Sequence, residues 1–208
     1  MFIPMNQFQN CIGTFAVAMV LVACGGGNRN NNHPLQDSTA SVSQSLLPND
    51  HLLIPGKSVG RFLIGDADST IFAELGKPDF GDAAMGKAVS IWYPNGKRNQ
   101  PLSIFTSRDM GNDETARIKQ IRVTSPDFQT VQSIGVGSSL REISDIYPLQ
   151  IVETYDRDGQ TYTVYNANEG AAFEVDAAYR CVAIIIHETG ATIPTYLPLH
   201  PTSTPDPG

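Results

Sequence analysis

The chain has 208 residues, with 14 basic and 21 acidic side chains and a net charge of −7. That acidity offers no basic footprint for nucleic acid and would repel an anionic lipid surface; solubility is its plain role. Cysteine occurs three times, at Cys11, Cys24 and Cys181, which excludes a disulfide-built scaffold.

Residues 1–23 read as a targeting segment. Their apolar core runs from Cys11 through Phe15 and Val20 to Ala23. It is about a dozen residues long, short of the roughly 20 that span a bilayer as a helix and matching the apolar region of a signal peptide. The core ends in Leu21-Val22-Ala23-Cys24, followed by Gly25, Gly26 and Gly27. This stretch resembles the lipobox of bacterial lipoproteins. The resemblance implies that the segment is removed and that Cys24 carries several acyl chains. Several chains make a lasting anchor where one would bind only marginally. Gly25 after the cysteine favours, by analogy with that family, the outer membrane. The expected location is therefore the bacterial cell envelope, lipid-anchored, with the membrane itself as one partner.

Residues 24–50 are Gly, Asn, Ser and Gln with few large apolar side chains. Such composition cannot bury enough surface to offset its ordering entropy, and it reads as a flexible tether. Residues 192–208 carry Pro194, Pro198, Pro201, Pro205 and Pro207 and read as a disordered, Pro-rich tail. Between them lie residues 51–191, 141 in all, enough for one ordinary domain.

That body divides into two units, 51–128 and 129–191. At the offset between Gly65 and Gly137, Ile64 meets Val136, Ile71 meets Ile143, Leu75 meets Tyr147 and Tyr93 meets Tyr165. In the first unit Asp66, Asp68 and Ser69 are cap candidates, and Ala67, Ile71 and Leu75 mark one apolar helix face. Gly76 and Pro78 stop that helix. Strands are predicted over 88–93, 102–106 and 117–124, the last with Ile118, Ile121 and Val123 as its apolar members. In the second unit Ser139 and Glu142 have capping-box spacing, and Leu140, Ile143 and Tyr147 form the apolar face. Strands are predicted over 150–155, 161–166, 171–175 and 181–187. The last is apolar on both faces and therefore central. Cys181 lies in it and reads as a buried structural residue rather than a nucleophile. The fold class read from this pattern is α+β: two tandem repeats, each a short helix packed on an antiparallel β-meander.

The run Ile64-Gly65-Asp66-Ala67-Asp68-Ser69-Thr70-Ile71-Phe72-Ala73-Glu74-Leu75-Gly76-Lys77-Pro78 resembles the glycine–helix–Gly-Lys-Pro signature of small envelope lipoproteins of the BamE/SmpA type. The tandem arrangement is similar to the β-lactamase-inhibitor-protein fold. Both resemblances imply a noncatalytic protein that acts by contact.

The residues themselves offer little chemistry. Pro55-Gly56-Lys57-Ser58 looks like the end of a phosphate loop, but the glycine that motif requires is His51 here. Asp156, Asp158 and Gly159 suit a hairpin turn better than a calcium loop, whose closing glutamate is replaced by Ala167. His187, beside Glu188, is the one histidine well inside the body, His51 lying at the tether edge, and a single histidine makes no metal cluster. No metal, cofactor or catalytic residue is expected. The aromatics Trp92, Tyr93, Tyr155, Tyr162 and Tyr165 are the candidate partner-binding residues, because Trp and Tyr are enriched where proteins grip one another. The functional expectation is a noncatalytic, membrane-anchored lipoprotein that binds another envelope protein through its sheet face. The alternatives are an inhibitor of an envelope hydrolase and, after it, a small enzyme using His187.

Overall fold

A computed structural model describes residues 49–191. Cys24, the segment 1–23, the tail 192–208 and all of the tether but its last two residues lie outside the described residues. Those two, Asn49 and Asp50, belong to a 3-10 turn, Asn49–His51. The chain then runs through β1 (Leu52–Ile54), β2 (Ser58–Val59), β3 (Phe62–Leu63), helix α1 (Asp68–Leu75), β4 (Phe80–Ala84) and β5 (Lys87–Trp92). After a 3-10 turn at Pro94–Gly96 come β6 (Leu102–Asp109), β7 (Asp113–Val123) and β8 (Gln129–Thr130). Helix α2 (Leu140–Ser144), β9 (Leu149–Arg157), β10 (Gln160–Ala167), β11 (Ala171–Val175) and β12 (Cys181–His187) complete the chain.

Eight strands form one antiparallel sheet in the order β4-β5-β6-β7-β12-β11-β10-β9. Its centre is the pairing of β7 with β12, where Val123 faces Ile184, Arg122 faces Ile185 and Ile121 faces Ile186. Alternation along each strand sorts the side chains onto two faces. One face carries Ile104, Ile121, Phe173, Ile184 and Ile186, covered by Ile71 of α1, Ile143 of α2, and Leu53 and Val59 of the small sheet. The other carries Val89, Ile91, Phe105, Val164, Ala172 and Ile185. Burying an isoleucine contributes about 1.5–3 kcal/mol, which ties each short helix to the sheet where alone it would melt. Helix α2 is also held by the box read from its sequence. The Ser139 side chain accepts from the Glu142 N–H, and the Glu142 carboxylate accepts from the Ser139 N–H. Helix α1 has no side-chain cap; its leading loop is instead joined to β7 by Gly65 N–H to Ile118 O and Ile118 N–H to Asp66 O, both 2.8 Å.

β1, β2, β3 and β8 form a second, four-stranded sheet in the order β3-β2-β1-β8, with β8 parallel to β1. Gly56, between β1 and β2, donates to the carbonyl of Gly170, which also accepts from the His187 N–H. Gly170 has φ +97, and a Cβ there would collide with the Gly56 backbone and the His187 carbonyl. That glycine lets the two sheets touch.

The α+β class with two helix-on-meander repeats is therefore corrected: the described chain is mostly β. The helices have eight and five residues and bury one residue each, Ile71 and Ile143. The strands do not form two separate layers. β7 and β12 pair and merge them into one sheet. Residues assigned to the opening of each unit build a second sheet besides.

Candidate functional site

Five segments converge at one end of the eight-stranded sheet: the β5–β6 connection, the exit of β7, the loop before α2, the β9–β10 turn and the start of β12. Between them lies a cavity of about 570 Å³, within the usual range for small-molecule sites. Arg98, Arg122 and Arg157 line it, with Asp158 as the carboxylate of the lining. Tyr93, Pro101, Val136 and Val182 supply apolar walls. Three guanidinium groups around one cavity run against the charge of an acidic chain.

Local sequence explains each placement. Asn95 takes a left-handed φ of 56 inside Pro94–Gly96, so the chain turns sharply after Tyr93 and carries Arg98 outward at the rim. Asp158 and Gly159 have φ of 52 and 74, the two positive values of a two-residue hairpin turn, which closes β9 at Arg157. Gly137 is fixed to β12 by its N–H to Cys181 O at 2.8 Å.

Arg122 is the buried member. Its Nε donates to Glu174 Oε1 at 2.7 Å and its Nη2 donates to Oε2 at 2.6 Å. Both side chains are 2 % exposed. Burial opposes the charge on Arg122, but the Glu174 carboxylate outweighs it and holds the guanidinium above its usual range. Tyr155 Oη donates to the same Oε2 at 3.0 Å. Burial, then the Glu174 charge, pushes the Tyr155 phenol far up, so it stays a donor. Arg122 Nη1 is buried and has no acceptor among the described residues.

The contacts continue from Tyr155 to the other side of the cavity. Tyr155 stacks on Tyr162 with centroids 5.4 Å apart and planes at 22°. Arg157 Cζ sits 4.9 Å from the Tyr162 ring centroid. Its ion pair with Asp158 is long, at 3.8 Å, and the aspartate is 67 % exposed, so solvent screens it. Arg122, Glu174, Tyr155, Tyr162 and Arg157 thus form one chain of contacts that begins and ends at the cavity. Stacking removes the rotamer freedom a long side chain would otherwise lose on binding. Arg98 is exposed and makes no ion pair among the described residues.

The five aromatics read from the sequence separate. Tyr93 lines the cavity, and its N–H donates to Asp79 Oδ2 at 2.8 Å. Tyr155 and Tyr162 support its arginines. Trp92 is only 5 % exposed, packed in the core of the opposite face, with Nε1 donating to Gly76 O at 3.2 Å. Tyr165 packs against that same core. Neither Trp92 nor Tyr165 reaches the cavity. Arg98, Arg122, Arg157 and Glu174 were not singled out from sequence. The available signal was Glu174 in the otherwise apolar strand β11, and Arg122 between Ile121 and Val123 at the end of β7.

Cys181 and His187 lie at opposite ends of β12, roughly 20 Å apart at strand rise, and make no nucleophile–base pair. Burial pushes the Cys181 thiol far up. His187 is fully buried, with Nδ1 2.8 Å from Glu188 O and Nε2 2.9 Å from Asn166 Oδ1. Burial lowers its pKa, while the Glu188 and Ala171 carbonyls pull the other way. No cluster of three or more His, Cys, Asp or Glu able to hold a metal occurs among the described residues.

No family model and no curated protein matches the chain. Among solved structures it is similar to an extracellular protein containing a SCP domain from Bacillus anthracis str. Ames, at 12% identity with a TM-score of 0.39. The match covers 60% of this chain and 44% of that one, so it spans less than half the length of that protein. A likeness at this level carries no inference about activity.

Proposed function

We propose that this chain is a noncatalytic lipoprotein of the bacterial cell envelope, anchored through acylated Cys24, that binds another envelope protein. The anchor is read from Leu21-Val22-Ala23-Cys24. The contact surface is the cavity end of the large sheet rather than its faces. Side chains of the protein itself fill the middle of both faces, Ile121 and Ile184 on one, Arg122, Glu174 and Ile185 on the other. The observation that carries the reading is the continuous contact chain from Arg122 to Arg157, which holds charged groups rigidly at a cavity open to a partner.

Site-specific photo-crosslinking in native membranes tests it. A crosslinker at position 98, on the cavity rim, is expected to capture a discrete protein. One at Met110, 63% exposed on the β6–β7 connection at the other end of the sheet, is expected to capture none. No adduct from position 98, or the same adduct from both positions, contradicts the reading.

A further inference from the structure

We infer that the cavity binds an oxyanion, carboxylate or phosphate, borne on a small apolar body. This rests on the sheet end being the recognition surface and names what that surface grips.

Arg122 belongs to the cavity lining; Glu174 occupies its Nε and Nη2, which leaves the buried Nη1 without an acceptor among the described residues. Buried N–H groups in native proteins are almost always paired, and an oxygen brought in by a ligand would pair this one. Arg157 lies over the Tyr162 ring, and its exposed partner Asp158 is too far for a good hydrogen bond. Arg98 adds a third guanidinium at the rim, with no ion pair among the described residues. Guanidinium forks match the paired oxygens of carboxylates and phosphates, in charge and in geometry. Opposite them Val136, Val182, Pro101 and Tyr93 present carbon. A bare inorganic anion would leave those walls wet; an oxyanion attached to a few apolar atoms fills both halves. The cavity of about 570 Å³ limits that body to the size of one or two amino-acid residues.

The test is a titration of the purified full-length chain, read by amide NMR shifts and calorimetry, with N-acetyl-leucine, phenyl phosphate and the neutral N-acetyl-leucinamide. One or both acids are expected to bind and to shift Val136 and Val182. The neutral amide is expected to bind at least about tenfold more weakly, the worth of one charge-assisted hydrogen bond. Preference for N-acetyl-leucine names a carboxylate source and preference for phenyl phosphate a phosphate source; either supports the inference. Arg98→Gln, exposed and outside the buried contact chain, is expected to weaken acid binding about three- to tenfold without lowering the unfolding midpoint. Equal binding of acid and amide, an unchanged affinity in Arg98→Gln, or no binding of either acid at millimolar concentration overturns it. Failure of the acids with persistent crosslinking from position 98 overturns the oxyanion alone. Acid binding with no crosslink contradicts the partner reading instead.

Discussion

Glu174 grips Arg122 through two hydrogen bonds, 2.7 and 2.6 Å, across 52 residues of sequence and almost out of reach of water. The two residues lie on β11 and β7, with β12 between them. Removing one partner of such a pair leaves a buried charge uncompensated, which costs about 3–5 kcal/mol. Glu174→Gln should therefore lose that much stability by urea denaturation. The double variant Arg122→Met with Glu174→Leu should recover most of it, because neither charge is then stranded. A single variant as stable as the wild type would show that the pair is solvated.

Tyr155→Phe removes the third hydrogen bond to the Glu174 carboxylate and keeps the ring that stacks on Tyr162. A hydrogen bond to a charged group is worth about 1.5–3 kcal/mol, and the loss should fall in that range. Tyr162→Leu should instead leave the Arg122–Glu174 pair intact and release Arg157. Its signature is a weakened ligand affinity with a smaller change in stability, measured on the same preparations.

Gly170→Ala should be strongly destabilising. A left-handed φ costs an ordinary residue about 1–2 kcal/mol, and here the methyl also meets the Gly56 backbone and the His187 carbonyl. Gly159→Ala supplies the contrast. Its φ is +74, but a Cβ there meets nothing within 4 Å. The difference between the two unfolding free energies isolates the collision between the sheets.

The pH response should come from His187. Its pKa in the fold is lowered from 6.5 by burial. The unfolded chain takes up the proton near pH 6.5, and the folded chain only at lower pH. Its contribution is therefore fully present above about pH 6.5 and is lost as pH falls toward the folded value. Urea midpoints measured from neutral to mildly acid pH should decline in the wild type and flatten in His187→Gln. A wild-type curve that stays level in that window would contradict the burial of this ring.

Local chemistry was legible in the sequence, and pairing across the chain was not. The spacing of Ser139 and Glu142 announces a capping box because cap and acceptor sit three residues apart, and the box is present. The unbroken apolar run Val182–Ile186 announces a central strand, and β12 lies between β7 and β11. The class was misread because helix faces such as Ala67, Ile71 and Leu75 suggest a layer, while a helix of eight residues with one buried side chain cannot be one. β1, β2, β3 and β8 are two or three residues long, too short to show alternation. Arg122 is not legible as a site residue because nothing local separates it from the other charged residues of β7. Its partner is fixed only by tertiary pairing. For the same reason Trp92 and Tyr93, adjacent in sequence, could not be told apart: successive side chains of a strand face opposite ways.

Partner capture by the Arg98→Glu chain in its own membranes decides whether the cationic sheet end is the recognition surface. Acylation of Cys24 and the unfolding midpoint should match the wild type, and recovery of the captured protein should drop at least about tenfold, as expected for reversing one interfacial charge. Recovery at the wild-type level from the same membranes would mean that the partner docks elsewhere.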